Sequence, residues 1–111
     1  MANDTYLSGE DPSSVTVIFG QFEWDMEKSS LNQSKHGLSF ERAVDAFSDP
    51  SRIISFDNNN SVSEPRYFCF GLVSGKVATL RFTQRKKRIR IIGAGFWRKG
   101  RKIYEAKNRT Y

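Results

Sequence analysis

The sequence predicts an α+β domain in which an antiparallel β-meander of three to four strands packs against two N-terminal helices, with a third helix closing the chain. Three observations carry this. Apolar residues recur at helical spacing through Phe40, Ala43, Val44 and Phe47. After Pro50 the period falls to two through four successive segments. Short turn-forming stretches separate the later segments and join neighbours as hairpins. With 111 residues, 38% of them hydrophobic, there is enough chain for one modest core and none for a second.

Residues 1–14 are polar, contain Pro12, and read as a loose arm; Val15–Phe19 reads as a short edge strand. Residues 1–20 are therefore expected to be an extension, flexible or an edge strand, ahead of a single domain at 21–111. A helix follows, with Asp25 as N-cap, Glu27 in its first turn, Lys35 near its end and Gly37 as its stop. Ser39 caps a second helix, whose apolar stripe is core and which Asp49-Pro50 ends. Strands are expected at 52–57, 66–73, 76–83 and 88–92, with 57–64 as a polar loop. Ser74-Gly75 suits a two-residue turn, and Gln84–Lys87 closes the next hairpin. A last helix is expected from about Arg98 towards Asn108.

Charge is distributed unevenly. Residues 1–80 carry 6 basic and 11 acidic side chains, a formal −5, whereas 81–111 carry 12 and 1, a formal +11. Such a field favours polyanions, so nucleic acid is the first partner to consider; internal neutralisation, or self-association through opposite halves, is the structural alternative. One cysteine and one histidine exclude a disulfide and a Cys/His zinc site. Cys69 reads as a small buried hydrophobe. No metal or cofactor is expected. The N-terminus lacks a signal-peptide pattern and the longest apolar run is 68–73, which points to a cytoplasmic protein without a membrane partner.

The expected turns fix which side chains share a face. Thr83 would face Arg88, Arg81 would face Arg90, Phe68 would face Arg81 and Arg66 would face Thr83. One side then presents Tyr67, Cys69, Leu80, Phe82 and Ile91 to the helices; the other presents Arg66, Phe68, Thr79, Arg81, Thr83, Arg88 and Arg90. Like charges opposite one another repel unless an anion lies between them. Rings interleaved with guanidinium groups also suit single-stranded nucleic acid, stacking bases and holding phosphates. The same residues could instead solvate the sheet or pack beneath the last helix.

The segments Phe22-Glu23-Trp24-Asp25, Lys28, Asn32, Lys35-His36-Gly37, Ser39-Phe40-Glu41, Ala43, Phe47, Asp49-Pro50, Thr83 and Arg88–Ile92, in that order and spacing, resemble the BrnT family over about residues 22–105. The resemblance implies a RelE-like fold and a ribonuclease toxin of a type II toxin–antitoxin pair. It would block translation by metal-independent RNA cleavage and be neutralised by a BrnA-like ribbon-helix-helix antitoxin. It further implies contact with promoter DNA only through that antitoxin, and a dimer or a toxin–antitoxin heterotetramer. Where many members continue the last strand with Ser-Ala-Arg, this chain has Gly93-Ala94-Gly95. A module that keeps the fold and binds nucleic acid or antitoxin without catalysis is the alternative.

RNA cleavage without a metal needs a base for the 2′-hydroxyl, cations for the charge on phosphorus and a proton for the 5′-oxygen. His36 is the acid–base candidate, since histidine titrates near neutrality; it could equally cap carbonyls at its helix end. Glu41 is the other candidate base. Arg81 and Arg90 are the expected transition-state cations, and Arg90→Ala is expected to lose cleavage without unfolding. Arg66, Phe68, Thr83, Arg88, Trp97, Arg98 and Lys99 are the expected RNA-binding residues.

Overall fold

In the computed structural model, which describes residues 14–109, six strands form one mixed sheet in the order β1-β2-β6-β5-β4-β3. They are β1 (Thr16–Phe19), β2 (Phe22–Asp25), β3 (Ile53–Phe56), β4 (Tyr67–Val73), β5 (Lys76–Arg85) and β6 (Arg88–Gly95). Nearly all of the expected N-terminal arm lies outside the described residues. Strands β3 to β6 are the predicted meander, each antiparallel to the next. The predicted edge strand is β1; it turns back through Gly20, φ 61°, and sets Phe19 opposite Phe22 of β2.

Strand β2 was not predicted. Its four residues are too few for an alternation to stand out, and it lies parallel to β6, with Phe22 beside Ile89 and Glu23 beside Arg90. The sheet is therefore mixed rather than a bare antiparallel meander.

Helix α1 (Met26–His36) has the predicted ends: the Asp25 carboxylate accepts from the Lys28 N–H at 2.9 Å, and Gly37, φ 69°, stops it. Helix α2 (Phe40–Ala43) starts where the Ser39 hydroxyl accepts from the Arg42 N–H at 3.2 Å. After one turn it tightens into a 3-10 helix, Val44–Ser48, so the expected single helix is two shorter pieces. Leu38, Phe40, Ala43, Val44 and Ala46 bury against Cys69, Leu80, Phe82 and Ile91, which is the apolar face expected from the period of two. Only the second of the two helices supplies this cover; α1 buries no side chain.

Instead α1 lies along β6 where β2 has ended. The Asn32 amide nitrogen donates to the carbonyls of Ala94 at 2.8 Å and Leu38 at 2.7 Å, while its Oδ1 accepts from the Ala94 N–H at 3.4 Å. One side chain thus satisfies both backbone groups of Ala94 in place of a neighbouring strand.

The second hairpin corrects the expected register. Its loop is two residues, Lys86-Lys87, with Lys86 at φ 53°, as a tight turn between twisted strands requires. Pairing slides by two residues, which keeps the faces but sets Arg90 opposite Thr83 rather than Arg81. A bulge then intervenes: Phe82 pairs with Ile91, but Arg81 pairs with Gly93 and Leu80 with Ala94. The extra residue, Ile92, reverses the facing beyond it. Ala94 therefore points into the core and Gly93 stands beside Arg81. The predicted Phe68–Arg81 pair is present.

Helix α3 (Arg98–Lys107) packs on the other face of the sheet, with Gly100 against Phe70 and Thr79. The Tyr104 hydroxyl donates to Asp49 Oδ2 at 2.7 Å, and the same carboxylate accepts from the N–H groups of Leu72 at 2.9 Å and Ser51 at 2.8 Å. Burial pushes the Asp49 pKa up, but the hydrogen bonds outweigh it and hold the carboxyl below its ordinary 3.8. A carboxyl shifted down stabilises the folded chain above its unfolded pKa and loses that contribution as the pH falls through the folded value. The stability lost on Tyr104→Phe should thus be full at neutral pH and shrink below pH 3.8, measured by urea unfolding of both proteins.

Two glycines in the sheet should respond unequally to a methyl group. A Cβ at Gly71 would strike the Ala46 backbone carbonyl, whereas at Gly93 it would meet nothing within 4 Å. Gly71→Ala is expected to cost ~1–3 kcal/mol, and Gly93→Ala less than ~0.5 kcal/mol. Urea midpoints at constant slope measure both.

Candidate active site

Helix α3 covers only part of its sheet face, and the remainder forms a cleft of about 220 Å³ against the end of α1. His36, Phe68, Arg81, Gly93 and Trp97 line it, with Asn32 beneath His36. Each comes from the end of an element or from a position fixed by pairing. His36 is the last residue of α1, exposed because Gly37 turns the chain away at once. Its ring meets that of Trp97 edge-on at 5.1 Å. Asn32 lies one helical turn before it, on the same face, so the bond that holds α1 to Ala94 also sets His36 over the sheet.

Arg81 is 38% exposed along its side chain, and its guanidinium lies 5.4 Å from the Phe68 ring centroid. Its Nε is 3.1 Å from Asp57 Oδ2, an ion pair whose N–H does not point squarely at the carboxylate. Asp57 is buried and already occupied by the Asn59 N–H and the Asn60 amide, both at 3.2 Å. The polar loop after β3 is therefore folded on its own side chains, and it anchors the arginine from one side while Phe68 supports it from another.

The bulge places Gly93 opposite Arg81, so the sheet carries no side chain at that point of the cleft, which Thr79 and Ala94 also line. Trp97, 45% exposed, opens α3 and lies against Gly95, where a Cβ would sit 2.5 Å from the indole. In the Gly93-Ala94-Gly95 stretch the first glycine thus floors the cleft and the last seats a tryptophan.

His36, Arg81, Phe68 and Trp97 of the predicted site residues are brought together here. Arg98 and Lys99 are exposed in the first turn of α3, and Lys99 lines the adjoining groove of about 540 Å³, into which Phe68 and Trp97 also open. The others are elsewhere. Glu41 is exposed on α2, which serves the opposite sheet face. Thr83 is 1% exposed and donates its hydroxyl proton to the Pro65 carbonyl at 2.6 Å.

Arg90 is 4% exposed, with Nη1 2.8 Å from Glu23 Oε2. It borders a separate cluster with Arg66, Arg85, Lys28, Asp25 and Glu64. Within it Arg66 and Arg85 each lie 3.5 Å from Glu64. Arg88 faces Arg85 at the base of the hairpin. The expected Arg81–Arg90 phosphate pair does not exist.

Two residues that shape the cleft were given no role there from the sequence. Asn32 belonged to the pattern that carries the family resemblance and had a usable signal, its i, i+4 relation to His36. Asp57 carried a weaker one, as the first residue of Asp57-Asn58-Asn59-Asn60, a run that favours side-chain-closed turns. Among the described residues no three His, Cys, Asp or Glu side chains come together as a metal-binding set, and no helix is long and apolar enough to cross a membrane.

A guanidinium, an imidazole and two aromatic rings line this cleft together, groups of the kind that hold phosphates and stack bases in nucleic-acid sites. Residues 24–100 match the family model described as ribonuclease toxin, BrnT, of type II toxin-antitoxin system, and the chain belongs to the BrnT family. Membership implies a ribonuclease with an RNA target and a cognate antitoxin. No curated protein matches the chain.

Removing one member of a buried ion pair leaves the other charge without its partner, at a cost of about 3–5 kcal/mol for full burial. Arg90→Ala is accordingly expected to destabilise the fold by about 3 kcal/mol, rather than to remove cleavage from an intact protein. Thermal unfolding of the variant alongside Glu23→Gln/Arg90→Met, which discharges both partners and should cost less, measures this.

Proposed function

We propose that this protein is a metal-independent endoribonuclease that arrests translation, and that His36 and Arg81 carry out its chemistry. The observation that supports the reading is that the chain's one histidine and a half-exposed arginine line a common cleft in a member of a ribonuclease toxin family. His36 takes the proton of the 2′-hydroxyl as that oxygen attacks phosphorus. Arg81, held by Asp57 and Phe68, offsets the charge on the phosphoryl oxygens. The bond to the 5′-oxygen breaks, that oxygen takes a proton from water in the open cleft, and the hydroxide left behind removes the proton from His36, which restores the base. The products are a 2′,3′-cyclic phosphate and a 5′-hydroxyl. Arg98 and Lys99 hold flanking phosphates; Arg90 and Thr83 serve the sheet.

A ribbon-helix-helix antitoxin is the partner we assign, the pair assembling as a heterotetramer and meeting promoter DNA only through the antitoxin. A second reading, binding without catalysis, draws on one observation: the place of the Ser-Ala-Arg arginine is taken by Gly95, where the indole leaves no room for a side chain. Incubation of a purified RNA pool with chelator separates the two. Wild type should cleave, with 5′-hydroxyl ends; His36→Ala should lower the rate at least ~100-fold while unfolding like wild type, and Arg81→Ala should lower it as far at a temperature where the variant, destabilised by the loss of Asp57's partner, is still folded. RNA binding without cleavage by folded wild type would establish the second reading.

A further inference from the structure

Three features around Trp97 run against local preference. It occupies the N-cap of α3 with no side-chain cap bond, a position that favours Ser, Thr, Asp or Asn. It leaves 45% of its surface exposed in a chain whose other tryptophan, Trp24, is 3% exposed. It also requires a glycine in the strand at position 95, where any Cβ would lie 2.5–2.8 Å from three indole carbons, although glycine weakens a strand interior. None of these follows local preference, and all three have one result. The indole is seated against the backbone on one side, is met edge-on by His36 at 5.1 Å, and opens into the cleft that holds Arg81 and Phe68.

We propose that Trp97 is a nucleobase platform: it stacks the base adjacent to the phosphate held by Arg81, which restricts the substrate to single-stranded RNA. The proposal rests on the reading of this cleft as the RNA site. Stacking needs an exposed base face, which a duplex does not offer, and it tolerates every base because each has a π-face. Gly95 is the positioning residue, since it alone permits the indole to lie in its seat.

The test uses the full chain and a 2′-O-methyl oligoribonucleotide, which lacks the attacking hydroxyl, in three forms: single-stranded, with consecutive abasic sites, and duplex. Since Trp24 is buried, quenching of tryptophan emission on binding reports on Trp97. The single strand is expected to quench at saturation. The abasic strand and the duplex should bind roughly 5- to 150-fold more weakly, the range that one or more lost stacks predict, and should not quench. Trp97→Ala should show the same loss for the single strand, Trp97→Phe should retain most of the affinity, and Gly95→Ala should reduce the quench.

Equal binding by all three forms, or a saturated complex without quenching, overturns the proposal, and neither result depends on a variant that folds. The two readings fail separately. Cleavage that requires His36 but is indifferent to Trp97→Ala removes the platform and leaves the ribonuclease. Quenching by the single strand alone, in a protein that does not cleave, removes the ribonuclease and leaves the platform.

Discussion

The arrangement of β6 governs the rest of this molecule, because that strand has two different partners along its length. Up to Arg90 it pairs with β2; beyond the bulge, at Ala94, its free backbone groups are met by the Asn32 side chain. A strand edge left open would expose unpaired N–H and C=O groups, so the end of β2 obliges something else to cover β6. The polar helix α1 does so, and this explains how a helix without buried side chains is held in a fixed place. The bulge at Ile92 lies between the two regimes and turns Gly93 out of the core and into the cleft. Site and sheet share the same irregularity.

The uneven charge along the sequence is partly cancelled in the fold and partly displayed by it. Glu23, Asp57 and Glu64, all from the acidic two-thirds, pair with Arg90, Arg81 and Arg85 of the basic third, and Glu64 also reaches Arg66. These pairs differ in weight. The half-exposed ones at 3.5 Å contribute little in water, whereas the buried Glu23–Arg90 pair is needed because neither charge can be left alone. Around the first turns of α3 the described residues Arg98, Lys99, Arg101 and Lys102 are all exposed. Internal neutralisation thus accounts for part of the basic third and leaves the cations of α3 displayed to solvent.

Many short-range signals in the sequence translated into structure. The caps at Asp25 and Ser39, the stop at Gly37, the Ser74-Gly75 turn and the apolar face of the meander all depend on residues a few positions apart. Two local readings did not carry over: the Lys86-Lys87 turn is two residues shorter than expected, and the second helix tightens after one turn. The rest of what could not be read depends on residues far apart. Nothing near residue 22 indicates that Glu23 will lie beside Arg90, and without that parallel pair Arg90 looks like a solvent-facing cation. The bulge left only a faint trace, the adjacent Ile91-Ile92 that interrupts the alternation of Ile89-Arg90-Ile91, and two apolar neighbours also suit a strand buried on both faces. His36, Arg81, Phe68 and Trp97 were legible as chemistry but not as a cluster; their meeting requires α1 to lie along β6, which Asn32 decides from 62 residues away.

The cleft is assembled from positions where the chain departs from its best local structure, and the departures are mutually dependent. A bulge costs one ladder interaction, a glycine in a strand costs conformational entropy, and a tryptophan at an N-cap forgoes the hydrogen bond that a serine would make. Correcting any one alone gains little, because a side chain at 95 would collide with the indole and an unbulged β6 would direct position 93 into the core. Local rules are broken together where a site needs a shape that regular elements do not provide. The opposite face of the sheet, where Phe40, Leu80 and Ile91 are buried in the core, supplies the stability against which this irregular face is held.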